Sequence, residues 1–393
     1  MSEYSPSARV FDNEDLMWRV VELLTGFECG RKRVCSEGEG EGEEEEQRPT
    51  YRDDRAAAPL LPLVLTFRSL RSAKRRQLGI PMLSLQAQFV TSVSMMEWSI
   101  SMGCCFRSGG SILSEVAAER GLLEVLEWSQ KQDPRYPLSE KVIAGAASCG
   151  HLEVLQYLRA QDRPCPWNRE ACIRAAGGGH LEVLRWLRDQ DPPCPWDSDA
   201  CFAAAGGGHL EVLQWLRDQD PPCPWDGGAC FGAARGGHVE VLQWLRDQNP
   251  PCRWDSGTCY VAAGSGHLEV LQWLRAQDPP CRWDSRSCVH AAGGGHLVVL
   301  QWLRAQEVSC PWSSDTCFAA AASGHLLVLQ WLRAQEPPCP WGSDACYRAA
   351  GGGHLKVLQW LRVQEPPCPW DYDACCLAAK IGGHLEVLQW LSA

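Results

Sequence analysis

No stretch of this chain is apolar enough to cross a membrane. The longest apolar run, Ala56 to Phe67, is broken by two prolines and reaches about half of the roughly 20 residues a spanning helix needs. The opening text, MSEYSPSARVFDNEDL, is polar from its start and lacks the charged, apolar and small-residue succession of a secretory signal. The expected location is intracellular, in the cytoplasm or the nucleus. Basic residues are also short, 37 Lys and Arg against 48 Asp and Glu for a net charge of −11, and the stretch from Ser111 onward, with 23 against 32, carries nine of those charges. Phosphate backbones and anionic lipid need basic clusters to displace counterions, so nucleic acid and membrane are not expected partners. Catalytic constellations are missing as well. No segment pairs a unique nucleophile with a base, and the glycine triplets end helices instead of following strands, so neither an enzyme nor a cofactor is expected.

What the chain does have is a beat. His151, His180, His209, His238, His267, His296, His325 and His354 stand 29 residues apart, and only the last step, to His384, is 30. A fixed period of this length marks an array of small stacked units, each burying its apolar face against the next. Within one unit the text reads as two helices. The first begins at Asp197, a side chain suited to cap it, and runs through DSDACFAAA with Cys201, Ala204 and Ala205 on one face. A glycine triplet then permits a left-handed turn. The second, from His209 to Gln219, carries Leu210, Val212, Leu213 and Leu216 as its apolar stripe, with Glu211 and Arg217 placed to suit the helix dipole and Pro221-Pro222 expected to end it.

Before the array the sequence divides into shorter pieces. Residues 1–30 hold one amphipathic helix, DNEDLMWRVVELL; residues 31–55 are a glycine- and glutamate-rich linker that lacks the apolar surface to order itself; residues 56–88 form a helical cap segment with a basic end, Arg68, Arg71, Lys74, Arg75 and Arg76. The helix and the Leu- and Arg-rich text together resemble an F-box in front of substrate-binding repeats. That resemblance implies an alternative role, a substrate adaptor of a ubiquitin ligase. The array itself spans residues 89–393, about ten units, with degenerate units at its start, where Tyr157 stands for tryptophan and Tyr136-Pro137-Leu138 for Cys-Pro-Trp.

The stretch DACFAAAGGGHLEVLQWLR, Asp199 to Arg217, resembles the ankyrin repeat, whose consensus reads TPLHLAAxxGHLEVVxLLL. Ala204-Ala205 fall on the paired alanines, Gly208-His209 on Gly-His, and Val212, Leu213, Trp215 and Leu216 on the apolar positions of the second helix. The text is similar to the short Cys-Pro-Trp arrays of protists and large viruses. The ankyrin unit has 33 residues, four more than this one, and the four fall where that family builds its β-hairpin. The resemblance therefore implies an all-α, ankyrin-type helix-turn-helix solenoid with its hairpin fingers reduced or absent. It also implies an interaction scaffold that binds a protein ligand on its concave face.

Two cysteines and a histidine per unit raise the alternative of a metal-binding array. The C-x6-C spacing of Cys194 and Cys201 lacks the short knuckle of a zinc site, no fourth ligand recurs, and metal ligands are assigned to none of them. Most of the 22 cysteines ride on the repeat, two per unit, and read as reduced thiols. Disulfides between equivalent cysteines are excluded by the distance of about 8–10 Å between stacked helices, while Cys194 to Cys201 stays open. Two tryptophan columns, through Trp196 and Trp215, read as packing.

Positions that differ between near-identical units are the informative ones. The first-helix column Arg174, Ala203, Gly232, Val261, His290, Ala319, Arg348 lies off the core face, and in the second-helix column Glu182, Glu211, Glu240, Glu269, Val298, Leu327, Lys356 the acid gives way to two adjacent apolar residues. Arg174, Val261, His290 and Arg348 are the expected contacts to a protein ligand, with Val298 and Leu327 as a second patch. Leu388, Trp390 and Leu391 in the last unit are the expected route to self-association.

Overall fold

The computed structural model describes residues 90–101 and 112–392. The helix expected in residues 1–30, the linker of 31–55 and the cap of 56–88 lie outside the described residues. The chain forms two compact units, Met1–Ile112 and Leu113–Ala393. In the first, the described residues form one helix, Val93–Ser101, preceded by an isolated bridge between Val90 and Ser92.

From Ile112 onward the chain is a series of ten helix pairs, and no strand occurs among the described residues. The regular pair at the centre shows how its sequence produces it. Asp197 sits in extended backbone, and its carboxylate accepts from the Asp199 amide at 3.1 Å, which starts the first helix, Ser198–Gly206. Ala200, Cys201, Ala204 and Ala205 are fully buried on its inner side. Small side chains there let the first helices of successive units pack directly on one another, as Ser198–Gly206 does on Gly228–Gly236. Gly208 then takes φ +76°, the left-handed turn that side chains resist, and the second helix runs Leu210–Arg217. Val212, Leu213 and Leu216 are buried to 2% exposure or less, each contributing about 1.5–3 kcal/mol of transfer free energy.

The prolines do not stop the second helix. It ends at Arg217, where the Asp218 amide closes onto the Gln214 and Trp215 carbonyls and the Gln219 side chain donates to the Trp215 carbonyl at 2.9 Å. Local hydrogen bonds satisfy the last carbonyls before the backbone reaches Pro221. The chain then crosses back as an irregular Cys-Pro-Trp loop, without strands, as the four missing residues implied. The Cys223 amide bonds the Leu216 carbonyl at 2.9 Å, so the loop is tied to the helix it follows.

The repeated histidine, loop cysteine and second-helix arginine each have a fixed partner. From His151 to His384 every repeat histidine places Nε2 at 2.9–3.2 Å from a carbonyl of the preceding unit, Gly177 for His209. A carbonyl only accepts, so Nε2 carries the proton and donates. The glycine that makes the turn also makes the seat: Gly179 has φ +76°, and a Cβ added to it would lie 2.5 Å from His209 Nδ1. Two separate demands, a left-handed backbone and room for the next imidazole, fall on one residue.

The loop thiols make the complementary stitch. Cys194 Sγ donates to the Asn168 carbonyl at 3.3 Å, and the same bond recurs at 3.2–3.4 Å from Cys165 to Cys368. Cys194 is hydrogen-bonded to the thiol of Cys172, a first-helix residue, and not to Cys201. The intimate pair is therefore the one 22 residues apart, because the loop folds back over the helix pair it closes. The Cys172 thiol is pushed up in pKa by that hydrogen bond first and by burial second. Burial first, with Arg159 opposing and Glu140 adding, pushes Cys165 up to about 12.

The arginine at the end of the second helix also has a defined partner. From Arg159 to Arg362 its guanidinium donates to the loop cysteine carbonyl at 2.6–3.0 Å. The same group lies 3.8–4.4 Å over the ring of the loop tryptophan. That indole meets the second-helix indole edge to face, for example Trp196 on Trp215 at 6.0 Å and 73°. Both tryptophan columns are thus half-buried packing. Among the described residues no helix is long and apolar enough to cross a membrane, and no group of three or more His, Cys, Asp or Glu side chains is placed to hold a metal ion.

Candidate protein-binding surface

Because Cys201, Ala204 and Ala205 turn inward, the positions after the cysteine turn outward, and they form a continuous track along the first helices. The residue directly after each cysteine is Ile173, Phe202, Phe231, Tyr260, Val289, Phe318 and Tyr347, every one half-buried. Phe202 stacks on Phe231 at 6.5 Å and 25°, and Phe231 meets Tyr260 edge-on at 6.1 Å. The aromatic track was not singled out from the sequence, although its column alternates only among apolar residues. Its signal is the ring size, which exceeds what a one-layer helix packing of alanines needs.

The expected contact residues sit beside this track. His290 is exposed and its imidazole lies parallel to the Tyr260 ring, 4.7 Å between centroids and 19° between planes. Arg286, also exposed, covers the same ring at 4.9 Å while its guanidinium is held by Asp284 at 2.7 Å. Arg348 is exposed and stands 5.1 Å over the ring of Phe318 in the preceding unit. Val261 is half-buried, and Arg174 pairs with Glu170 at 2.8 Å one turn earlier on its own helix. An exposed pair of this kind is worth about 0.5 kcal/mol or less, so it positions Arg174 without tying it down. Gly232 belongs to the same column for another reason: a Cβ there would lie 2.6 Å from the Phe202 carbonyl oxygen, so its smallness serves packing.

Val261, His290 and Arg348 therefore share one track with the aromatic rings, and Arg174 lies on it three units before Val261. Val298 and Leu327 do not. They occupy the first turns of two successive second helices, 63% and 72% exposed, in the column otherwise held by exposed Glu182, Glu211, Glu240 and Glu269. In the last pair the exposed apolar residues are Leu377, Ile381 and Leu385, at 57%, 77% and 71%, whereas Leu391 is 8% exposed and Leu388 and Trp390 are half-buried. The expected self-association residues are thus largely covered by their own helix pair, and a different set faces outward.

The family model for ankyrin repeats (many copies) matches residues 170–217 and 317–362. No curated protein matches the chain. Among solved structures, the pentatricopeptide repeat protein PPR10 in complex with an 18-nt psaJ RNA element is similar at 14% identity and a TM-score of 0.35, over 86% of this chain and 53% of that one. A form of PPR10 with three cysteines changed to serine, in complex with the same RNA element, gives the same values. The chain spans about half the length of those structures, and a score that low carries no argument about fold or ligand.

Proposed function

We propose that this ankyrin-repeat protein is an interaction scaffold that holds a protein ligand against the outward track of its first helices. Ankyrin repeats generally mediate protein–protein interaction, and the family is generally non-enzymatic. The supporting observation is the cluster at Tyr260, where His290 and Arg286 lie on one exposed-side ring and Val261 adjoins it. Aromatic and arginine side chains that are already packed lose little freedom on binding, which is the character of residues that dominate interfaces. Arg174 and Arg348 extend the surface toward either end, and Val298 and Leu327 form a second apolar contact.

The test is a quantitative affinity capture from cells with the intact chain and with a variant carrying Val261→Ala, His290→Ala, Arg348→Ala, Val298→Glu and Leu327→Glu. The first three changes install the alanine found at Ala203 and Ala319, and the last two the glutamate of the second-helix column. The expected result is loss of the captured ligand with a melting curve shifted by less than about 0.5 kcal/mol per site. Undiminished capture would place the ligand elsewhere.

A further inference from the structure

One helix pair departs from the others in a coordinated way. In every pair from Trp167–Trp186 to Trp370–Trp390, two indoles lie 5.7–6.4 Å apart between the loop and the second helix. One period earlier the same two positions are Leu138 and Tyr157, and the arginine that covers the loop ring is Gln130. The frame survives the change. Gln130 Nε2 still donates to the Tyr136 carbonyl at 2.9 Å, as Arg159 does to that of Cys165 at 3.0 Å. What is lost is the filling, and an open groove of about 670 Å³ lies there, lined by Leu138, Tyr157, Gln130 and the backbone around Cys165.

The rim of this groove departs too. Lys131, Arg135 and Arg163 line it, where the unit of Trp196 has Asp189, Pro193 and Pro221 or, a period earlier, Ala160, Pro164 and Pro192. All three cations are exposed and none forms an ion pair among the described residues, with Glu127 and Asp162 as the acids on the same rim. One missing loop indole and three added cations meet at one spot of an otherwise acidic array.

We propose that this groove takes an aromatic side chain from a partner protein, seated against Leu138 and Tyr157 where the array's own indole is missing, with carboxylates beside it in the partner meeting Lys131, Arg135 and Arg163. The groove is open and its lining mixed, with Leu138, Tyr157, Pro164 and Pro166 set among amide and charged side chains, a surface that suits a ring flanked by acids. This site is on the loop side, independent of the first-helix track.

The experiment uses two fluorescein-labelled peptides, Asp-Glu-Trp-Asp-Glu and its alanine counterpart, titrated with the full chain and read by polarisation. The tryptophan peptide is expected to bind at least tenfold more tightly than the alanine peptide. Leu138→Trp restores the residue that other units carry and fills the groove; it should weaken the tryptophan peptide at least tenfold while keeping the circular dichroism of the parent. Tyr157→Trp fills the same space from the other wall and serves as a second variant should the first misfold. Arg135→Glu should weaken the peptide without touching the melt. Equal binding of the two peptides would show attraction by charge alone and overturn the proposal, as would undiminished binding to both filled variants.

Discussion

The seam between units and the outward track of the first helices are built from the same 29-residue text, yet they behave oppositely. At the seam the regular units repeat the same contacts: histidine to carbonyl, thiol to carbonyl, arginine over indole. On the track the same helices carry arginine, alanine, glycine, valine or histidine at one position. The difference teaches what repetition means here. A residue that bonds the next unit recurs, as the repeat histidine does, whereas the track position after the aromatic ring is free to change from unit to unit.

The sharpest way to break the comparison is to put a charge into the seam. Ala205 is fully buried between helices, so Ala205→Asp should destabilise the array by about 3–5 kcal/mol, the cost of an uncompensated buried charge. Thermal and urea unfolding measure it. An unchanged transition would mean that this helix face is not a core.

A finer test separates the two demands on the turn glycines. Gly179 and Gly383 have nearly equal φ, +76° and +73°, but a Cβ at Gly179 would strike the His209 ring, whereas nothing lies within 4 Å of one at Gly383. Gly383→Ala should therefore cost only the left-handed backbone, about 1–2 kcal/mol, and Gly179→Ala distinctly more. Equal losses would remove the histidine from its seat.

The Cys165 thiol supplies a pH test whose sign is fixed. Its pKa is raised from 9.0 to about 12, by burial first, whereas at the paired sites the helix thiol is raised and the loop thiol lowered, so the two oppose each other there. A raised folded-state value favours the neutral thiol in the fold, so the contribution is complete below about pH 9 and is lost as pH rises toward 12. At pH 10 a single such thiol should already have given up about 1 kcal/mol. A stability difference between the parent and Cys165→Ala that stays level from pH 8 to 10 in urea unfolding would contradict the burial of this thiol.

Much of this architecture is legible in the text because it is written many times. The Asp197 cap, the inward face of Cys201, Ala204 and Ala205, and the stripe of Val212, Leu213 and Leu216 follow from spacing alone, and all are as expected. Contacts between units were harder to read. Cys194 is seven residues from Cys201 but bonds Cys172, because the loop closes the pair it follows. Arg217, placed for the helix dipole, instead spends its guanidinium on the Cys223 carbonyl and the Trp225 ring. The recurrent eight-residue step from arginine to tryptophan was the available signal. On the variable face, His290 and Arg348 stand out by differing, whereas Arg286 and the rings beneath them need the structure to be seen together. The notch at Leu138 and Tyr157 is visible in sequence as a degenerate unit, but only the geometry shows that its departures share one groove.

Site-specific photocross-linking tests the interaction surface most directly. A photoreactive side chain placed in turn at Val261, His290 and Arg348, and as controls at the exposed Asp220 and Asp278 in the turns that follow second helices, reports which side of the array a captured protein touches. The account predicts cross-linked ligand from the first three positions and none from the two controls. Cross-links confined to Asp220 and Asp278 would contradict it.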